Sequence, residues 1–267
     1  MKFPESDRNP ENAARDFYDR QYLGVEYSNR DQAECHGMMP IVSDFVVGYQ
    51  LKGRKVLEVG CGRGAFQDLV EDYTGTDLSS TVAKYFRKKF VACDATRMPF
   101  KDHTFDAIWS IWVLEHTPDP EAVLNEMRRV IRPGGYLLLR PAWHCRWWNC
   151  HGINVRPWCK LPWRYWPAKL LLPLLEARWF RGLMVIPRRI WLTALTKFSG
   201  RSRLWWKKLP GDFATFWCSD SDAVAYLDPV AVCLWFESHG DRILSVPSGW
   251  RRLFLGAPAL VIQRGDR

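Results

Sequence analysis

The chain has 267 residues, 47% of them apolar and 25% charged, with a net charge of +9, a balance that excludes wholesale disorder and suits one large domain or one domain with an insertion. The N-terminal run MKFPESDRNPENAARDFYDRQ has no apolar stretch, so a secretory signal is not expected. The longest apolar stretch, AKLLLPLLEARWFRGLMVIP, is broken by Pro173, Glu176, Arg178 and Arg181 and falls short of a membrane span. The expected location is therefore the cytosol, where eight cysteines stay reduced rather than forming a disulfide framework.

Taken in chain order, residues 1–50 read as a helical lead-in. Ala14, Phe17, Tyr18 and Tyr22 are spaced for one helix face, and a second apolar stretch runs from Ile41 to Val47. Residues 51–143 alternate short apolar runs with amphipathic stretches, the pattern of βαβ units around a parallel sheet. KVLEV, YTGTD, FVACD, FDAIWSI and GYLLLR are its five expected strands, with a helix expected over AFQDLVEDY. Before the fifth strand, DPEAVLNEMRRVIRPGG carries a full helix grammar, with Asp119 as cap, Pro120 in the first turn and Pro133-Gly134-Gly135 as the stop.

Residues 144–215 form a basic, tryptophan-rich insertion. The part from 144 to 210 holds nine of the fifteen tryptophans and fourteen Lys or Arg against one acid, Glu176. That segment is thus +13 while the rest of the chain sums to −4. Residues 216–267 resume the sheet: Asp228, Pro229 and Gly240 repeat the helix grammar around PVAVCLWFES, and DRILSV and ALVIQR read as two closing strands.

VLEVGCGRGAF, residues 56–66, carries the chemistry. An apolar strand passes through Glu58 into Gly60, Gly62 and Gly64, where the backbone must turn sharply and approach a ligand closely. Asp77 closes YTGTD seventeen residues after Gly60, a spacing suited to hydrogen-bonding ribose hydroxyls. G-C-G-R-G differs from the dinucleotide pattern G-x-G-x-x-G, so a ligand without a pyrophosphate is favoured.

With E-V-G-C-G-R-G, T-D-L-S (76–79), C-D-A and M-P-F (93–100), F-D-A-I-W-S-I-W-V-L-E-H (105–116) and R-P-G-G-Y-L-L-L in this order, the sequence resembles the class I S-adenosylmethionine-dependent methyltransferases, in the group that includes ubiquinone and menaquinone C-methyltransferases. The resemblance implies a Rossmann-like, doubly wound α/β fold with a seven-stranded sheet, here with the helical insertion after the fifth strand. It also implies S-adenosylmethionine as cofactor. Gly60, Gly62 and the backbone around Cys61 would flank its methionine part, with Glu58 supporting the loop. Asp77 would hold the ribose hydroxyls and Leu78 would pack on adenine. Asp94 would accept from the adenine amino group with Ala95 beside it, Ser110 would lie near the methionine end, and Tyr18, Tyr22 and Tyr27 would form a lid. Plainer readings stand beside two of these: Asp94 as the cap of the turn before Met98-Pro99, and Tyr18 and Tyr22 as a core stripe.

A sulfonium already activates its methyl group, so the protein chiefly aligns the acceptor, and a base is needed only for some acceptors. His116, just past the fourth strand, and His144, just past the fifth, are the candidate catalytic residues, although L-E-H belongs to the family's common pattern whatever the substrate. No Asp-Pro-Pro-Tyr and no Pro-Cys stands at the end of the fourth strand, which removes support for common base-methylating chemistries.

The insertion has three readings. His144, Cys145, Cys150, His151 and Cys159 lack a C-x-x-C knuckle, so a metal is not expected. Arginines with Trp147, Trp148, Trp158, Trp163 and Trp166 suit RNA, yet KLLLPLLEARWF and GLMVIPRRIWLTAL are too apolar for a solvated nucleic-acid face. A lipid-facing cap suits both features, with a closed helical lid as its alternative. The sequence thus predicts methyl transfer to a small, apolar or lipid-linked acceptor, with peripheral contact to an anionic membrane surface as an added expectation. An RNA methyltransferase and a non-catalytic cofactor-binding module are the alternatives.

Overall fold

A computed structural model describes residues 10–200, 203–213 and 220–266, with their side chains except at 10–12, 25–35 and 178. Two helices lead in, α1 (Pro10–Leu23) and α2 (Val25–Gly48). β1 (Lys55–Val59), β2 (Asp72–Asp77), β3 (Lys89–Ala92) and β4 (Phe105–Ile111) follow, then α3 (Pro120–Val130) and β5 (Ile131–Arg140). The insertion contributes the single turn α4 (Trp147–Cys150), α5 (Trp166–Glu176), α6 (Arg178–Ser199) and β6 (Trp206–Lys208). β7 (Ala225–Leu227), α7 (Pro229–Ser238), β8 (Arg242–Ile243) and β9 (Leu260–Gln263) complete the chain.

Seven strands form one sheet in the order β3-β2-β1-β4-β5-β9-β8. The first five are parallel, and β9 enters antiparallel against both β5 and β8. The order reverses between β1 and β4, which opens a crevice at their carboxyl ends, where doubly wound sheets bind ligands. Both faces of the sheet are covered. Leu57, Val59, Ile108, Leu137 and Leu139 pack with Leu124 and Met127 of α3 and Trp235 and Phe236 of α7. Val56, Ala107, Trp109 and Leu138 point the other way, onto Val42, Phe45 and Val46 of α2. The one-residue offset between the two sets is the period-two alternation of a strand buried on both sides.

The two capped helices form as their sequence grammar dictates. Asp119 accepts from Ala122 N at 3.1 Å, and Asp228 from Val230 N at 2.9 Å. Three expectations need correction. AFQDLVEDY makes no helix: residues 62–68 are turns, because Gly62 and Gly64 hold positive φ and Gln67 locks the loop. Its Nε2 donates to Gly64 O and Tyr85 O, and its Oε1 accepts from Arg87 N. The helix α3 stops at Val130, three residues before Pro133, and Pro133-Gly134-Gly135 lies inside β5 opposite an irregularity in β4. The insertion is also not wholly helical, since β6 pairs antiparallel with β7.

Candidate active site

The loop after β1 is built from backbone. Gly60 N and Cys61 N both donate to Thr76 O, at 2.8 and 2.9 Å, which folds the loop back over β2. Gly60 has φ +71°, and a Cβ there would fall 2.1 Å from Val113 Cγ2, so no other residue fits. Glu58, buried next to the end of β1, accepts from the Tyr73 hydroxyl and presents its carbonyl to Thr76 Oγ1. Burial pushes the Cys61 thiol well above its ordinary pKa, with Asp77 and Glu58 adding to the rise. It therefore stays a neutral packing group.

Asp77 is the hub. One oxygen accepts from Gly62 N at 2.9 Å and, at a long 3.4 Å, from the Tyr22 hydroxyl; the other accepts from Ser79 N at 3.0 Å. Its carbonyl accepts from Cys93 N, tying the end of β3 to the same point. Tyr22 is buried at the end of α1, and Arg63 donates to its carbonyl, so α1 is pinned across the glycine loop at both ends of one residue. Ser110, beside Leu139 near the end of β4, is buried with its Oγ lacking a hydrogen-bond partner. Leu78 and Ala95 are half-buried beside Asp77 and Asp94 in sequence. Asp94 caps its turn, accepting from Thr96 N at 2.7 Å. Tyr27 lies outside the described side chains.

A second cluster sits past β4. Leu114–His116 forms a 3-10 turn, and His116 Nδ1 lies 3.2 Å from Asp222 Oδ2. The same oxygen accepts from the Tyr18 hydroxyl at 2.7 Å. Burial opposes charge on His116, but Asp222, Glu115 and Asp220 together outweigh it and raise its pKa. Glu115 is fully buried, and desolvation lifts it to about 7. It links elements: Ala142 N donates to its Oε1 and Val224 N to its backbone carbonyl, both at 2.8 Å. Tyr18 therefore reaches Asp222, on the far side of the insertion in sequence. Asp222 escaped the sequence reading because 204 residues separate it from Tyr18 and no local pattern marks it.

His144 belongs elsewhere. Its Nδ1 pairs with the Tyr226 hydroxyl at 3.0 Å and its Nε2 faces Arg189, while burial lowers its pKa to about 4, so the ring is neutral. None of these contacts is with the glycine loop, Asp77 or Ser110. The other histidine of the insertion and two of its cysteines make contacts of their own. Cys145 and Cys150 donate to carbonyls, and His151 stacks on Tyr165. Among the described residues, Glu115, His116 and Asp220 are the group whose ligand atoms lie within 4.8 Å of one another.

Residues 57–139 match the family described as a methyltransferase domain. That span holds the glycine loop, Asp77, Ser110 and the five parallel strands but for the first two residues of β1 and the last of β5. The segment is a class I methyltransferase domain. The methyltransferase domain is of the S-adenosylmethionine-dependent kind, and its residues fit that cofactor: a loop of backbone tied to a carboxylate at the end of β2, and an orphaned buried hydroxyl in Ser110.

The chain is 31% identical over 133 residues to a fatty-acid O-methyltransferase of Mycolicibacterium smegmatis, covering 45% of this chain and 48% of that protein. It is 36% identical over 109 residues to phthiotriol/phenolphthiotriol dimycocerosates methyltransferase 1 of Mycobacterium ulcerans, covering 35% and 40%. It is 31% identical over 137 residues to the 2-methyl-6-phytyl-1,4-hydroquinone methyltransferase of Synechocystis, covering 46% and 40%. The chain thus spans about half or less of the length of these relatives. The family match ends at residue 139, before the insertion begins.

Proposed function

We propose that the protein transfers a methyl group from S-adenosylmethionine to an apolar or lipid-linked acceptor reached at an anionic membrane surface. The observation that carries this reading is an inversion in α6, alongside the methyltransferase domain's loop. Arg189 and Leu192 of α6 are buried, while Trp179, Leu183, Ile190, Trp191 and Phe198 are exposed, Phe198 at 92%. A helix folding against its own domain turns such residues inward. On α5, Leu170, Leu171 and Trp166 are likewise exposed. An apolar face of this extent, in a segment of net charge +13, suits anionic lipid: indoles half-bury at the head-group boundary and guanidinium groups meet phosphate. No described helix is long and apolar enough to cross a membrane, so the face would lie on the surface. The names of the three relatives, which act on a fatty acid, a dimycocerosate and a phytyl hydroquinone by their printed descriptions, agree with a lipid-like acceptor.

The cofactor supplies an activated methyl on a sulfonium. Asp77 would take the ribose hydroxyls, and Ser110 Oγ would turn to the methionine end. Asp94, with one oxygen committed to Thr96 N, would keep the other for an amino group. Tyr22, already on Asp77, would serve as the lid, and Tyr18 would hold Asp222 against His116. His116, oriented by that carboxylate, is the base if the acceptor needs one. His144, neutral and tied to Tyr226, has a positioning role in the insertion.

Labelled methyl groups on S-adenosylmethionine, offered to the purified protein with total lipid extract and with a water-soluble metabolite fraction, test the reading. Label entering the organic phase supports it. Label found only in water-soluble product overturns the acceptor class.

A further inference from the structure

The insertion holds a cleft of about 240 Å³ between α4, the first half of α6 and the β6–β7 pair, and no residue lining it belongs to the cofactor loop or to the His116 cluster. Four of its lining residues are cations, Arg146, Arg181, Arg188 and Lys207, and none is an acid. The remainder are apolar or aromatic apart from Cys145, with Trp148, Leu209 and Tyr226 buried and Met184 exposed at the edge.

Among the described residues, Arg188 is the lining cation with an ion pair, to Asp228 at 3.2 Å, and that carboxylate is shared: both its oxygens accept from Arg189 Nε at 3.0 and 3.1 Å, and one caps α7. Arg188 Nε is buried and meets no acceptor among the described residues. A buried donor left unmade is costly unless something outside the chain satisfies it. The guanidinium groups are also held in place: Arg188 lies 4.1 Å over Trp205 and Arg146 4.9 Å over Tyr226. Fixed planar cations over aromatic faces are preorganised for an oxyanion.

The cleft is too small for a whole lipid, since pockets that enclose drug-sized ligands start near 300 Å³. It has room for a head group and the first carbons of a chain. Met184 lies in the cleft lining and is also exposed next to Leu183 on the outward apolar face of α6, so a chain leaving the cleft there would pass onto that face.

We propose that this cleft binds the anionic head of a single-chain amphiphile, a carboxylate or phosphate carried on a hydrocarbon tail, with Arg146, Arg181, Arg188 and Lys207 holding the head and α6 the tail. The inference rests on the reading that the insertion faces lipid, but it concerns a site apart from methyl transfer.

Calorimetry on the full chain tests it, with laurate and dodecyl phosphate below their micelle thresholds, dodecyl maltoside as the uncharged amphiphile and inorganic phosphate as the tail-free anion. The expected result is saturable single-site binding of laurate or dodecyl phosphate, weakened about ten-fold or more in an Arg181→Gln/Lys207→Gln variant; whichever of the two binds tighter names the head group. Both replaced residues are exposed, so the fold should persist, as an unchanged melting temperature would verify. Equal affinity for dodecyl maltoside, equal affinity for inorganic phosphate, an unaffected variant, or no binding of either anionic amphiphile would each overturn the proposal. S-adenosylmethionine titrated into the same samples separates the two readings. Its failure to bind would sink methyl transfer without touching the cleft, whereas cofactor binding without amphiphile binding would sink the cleft alone.

Discussion

At Asp77 a single carboxylate takes hydrogen bonds from Gly62 N, Ser79 N and the Tyr22 hydroxyl, and so fixes the loop, the end of β2 and α1 together. Asp77→Ala should weaken cofactor binding by about 1.5–3 kcal/mol, the usual scale for a hydrogen bond to a charged group; unchanged affinity by calorimetry would remove Asp77 from the site. Gly60→Ala should be worse, because it meets both the strain of positive φ, about 1–2 kcal/mol, and Val113. Gly134→Ala is the control, with positive φ but open space around its Cβ. Urea unfolding of the two variants should show the larger loss at Gly60. His116 makes a pH prediction. Its folded pKa is raised above the ordinary 6.5, so the Asp222 contact contributes stability that is full below 6.5 and lost as pH rises through the folded value. His116→Gln should flatten that part of the stability profile, and an unchanged slope would show that folding leaves the His116 pKa where it was.

Among the elements, those buried on two faces were legible in the sequence. KVLEV and FDAIWSI are apolar runs because β1 and β4 are covered on both sides, and Asp119-Pro120 and Asp228-Pro229 mark helix starts because cap and first-turn proline act locally. The glycine loop and Asp77 were legible for the same reason. What the sequence did not carry depended on distant partners. The turns at 62–68 are held by Gln67 reaching Tyr85 and Arg87, β6 needs β7 beside it, and the placement of Tyr18 and His116 depends on Asp222 from beyond the insertion. In α6 the reading found an amphipathic cap but not its direction, since a sequence period does not say which face is inward. The inward Arg189 gives the direction. Its guanidinium bonds Asp228, Leu253 O and Leu255 O in a buried setting, so Arg189→Ala should destabilise the protein by about 3 kcal/mol, near the low end for breaking a buried pair because Arg188 keeps one contact with Asp228. A shift within experimental error in a denaturant midpoint would contradict that anchoring role.

Over the whole molecule, charge and apolar exposure coincide. The segment from 144 to 210 carries +13 against −4 for the rest, and Trp163, Leu170, Trp179, Leu183 and Phe198 are more than 60% exposed within it. Attraction through charge alone fades over a Debye length of about 8 Å at physiological salt, whereas inserted aromatic surface is held by the hydrophobic effect, which salt does not weaken. The two contributions are therefore separable in one experiment. That experiment is flotation of the full chain with anionic and with neutral liposomes at low and moderate salt, beside a Trp179→Ser/Leu183→Ser/Phe198→Ser variant. Retention on anionic vesicles that partly survives moderate salt in the wild type, and is lost there in the variant, is the predicted result. Absence of flotation under every condition, or equal retention of the variant, would contradict the claim that α5 and α6 bring the methyltransferase domain to a lipid surface.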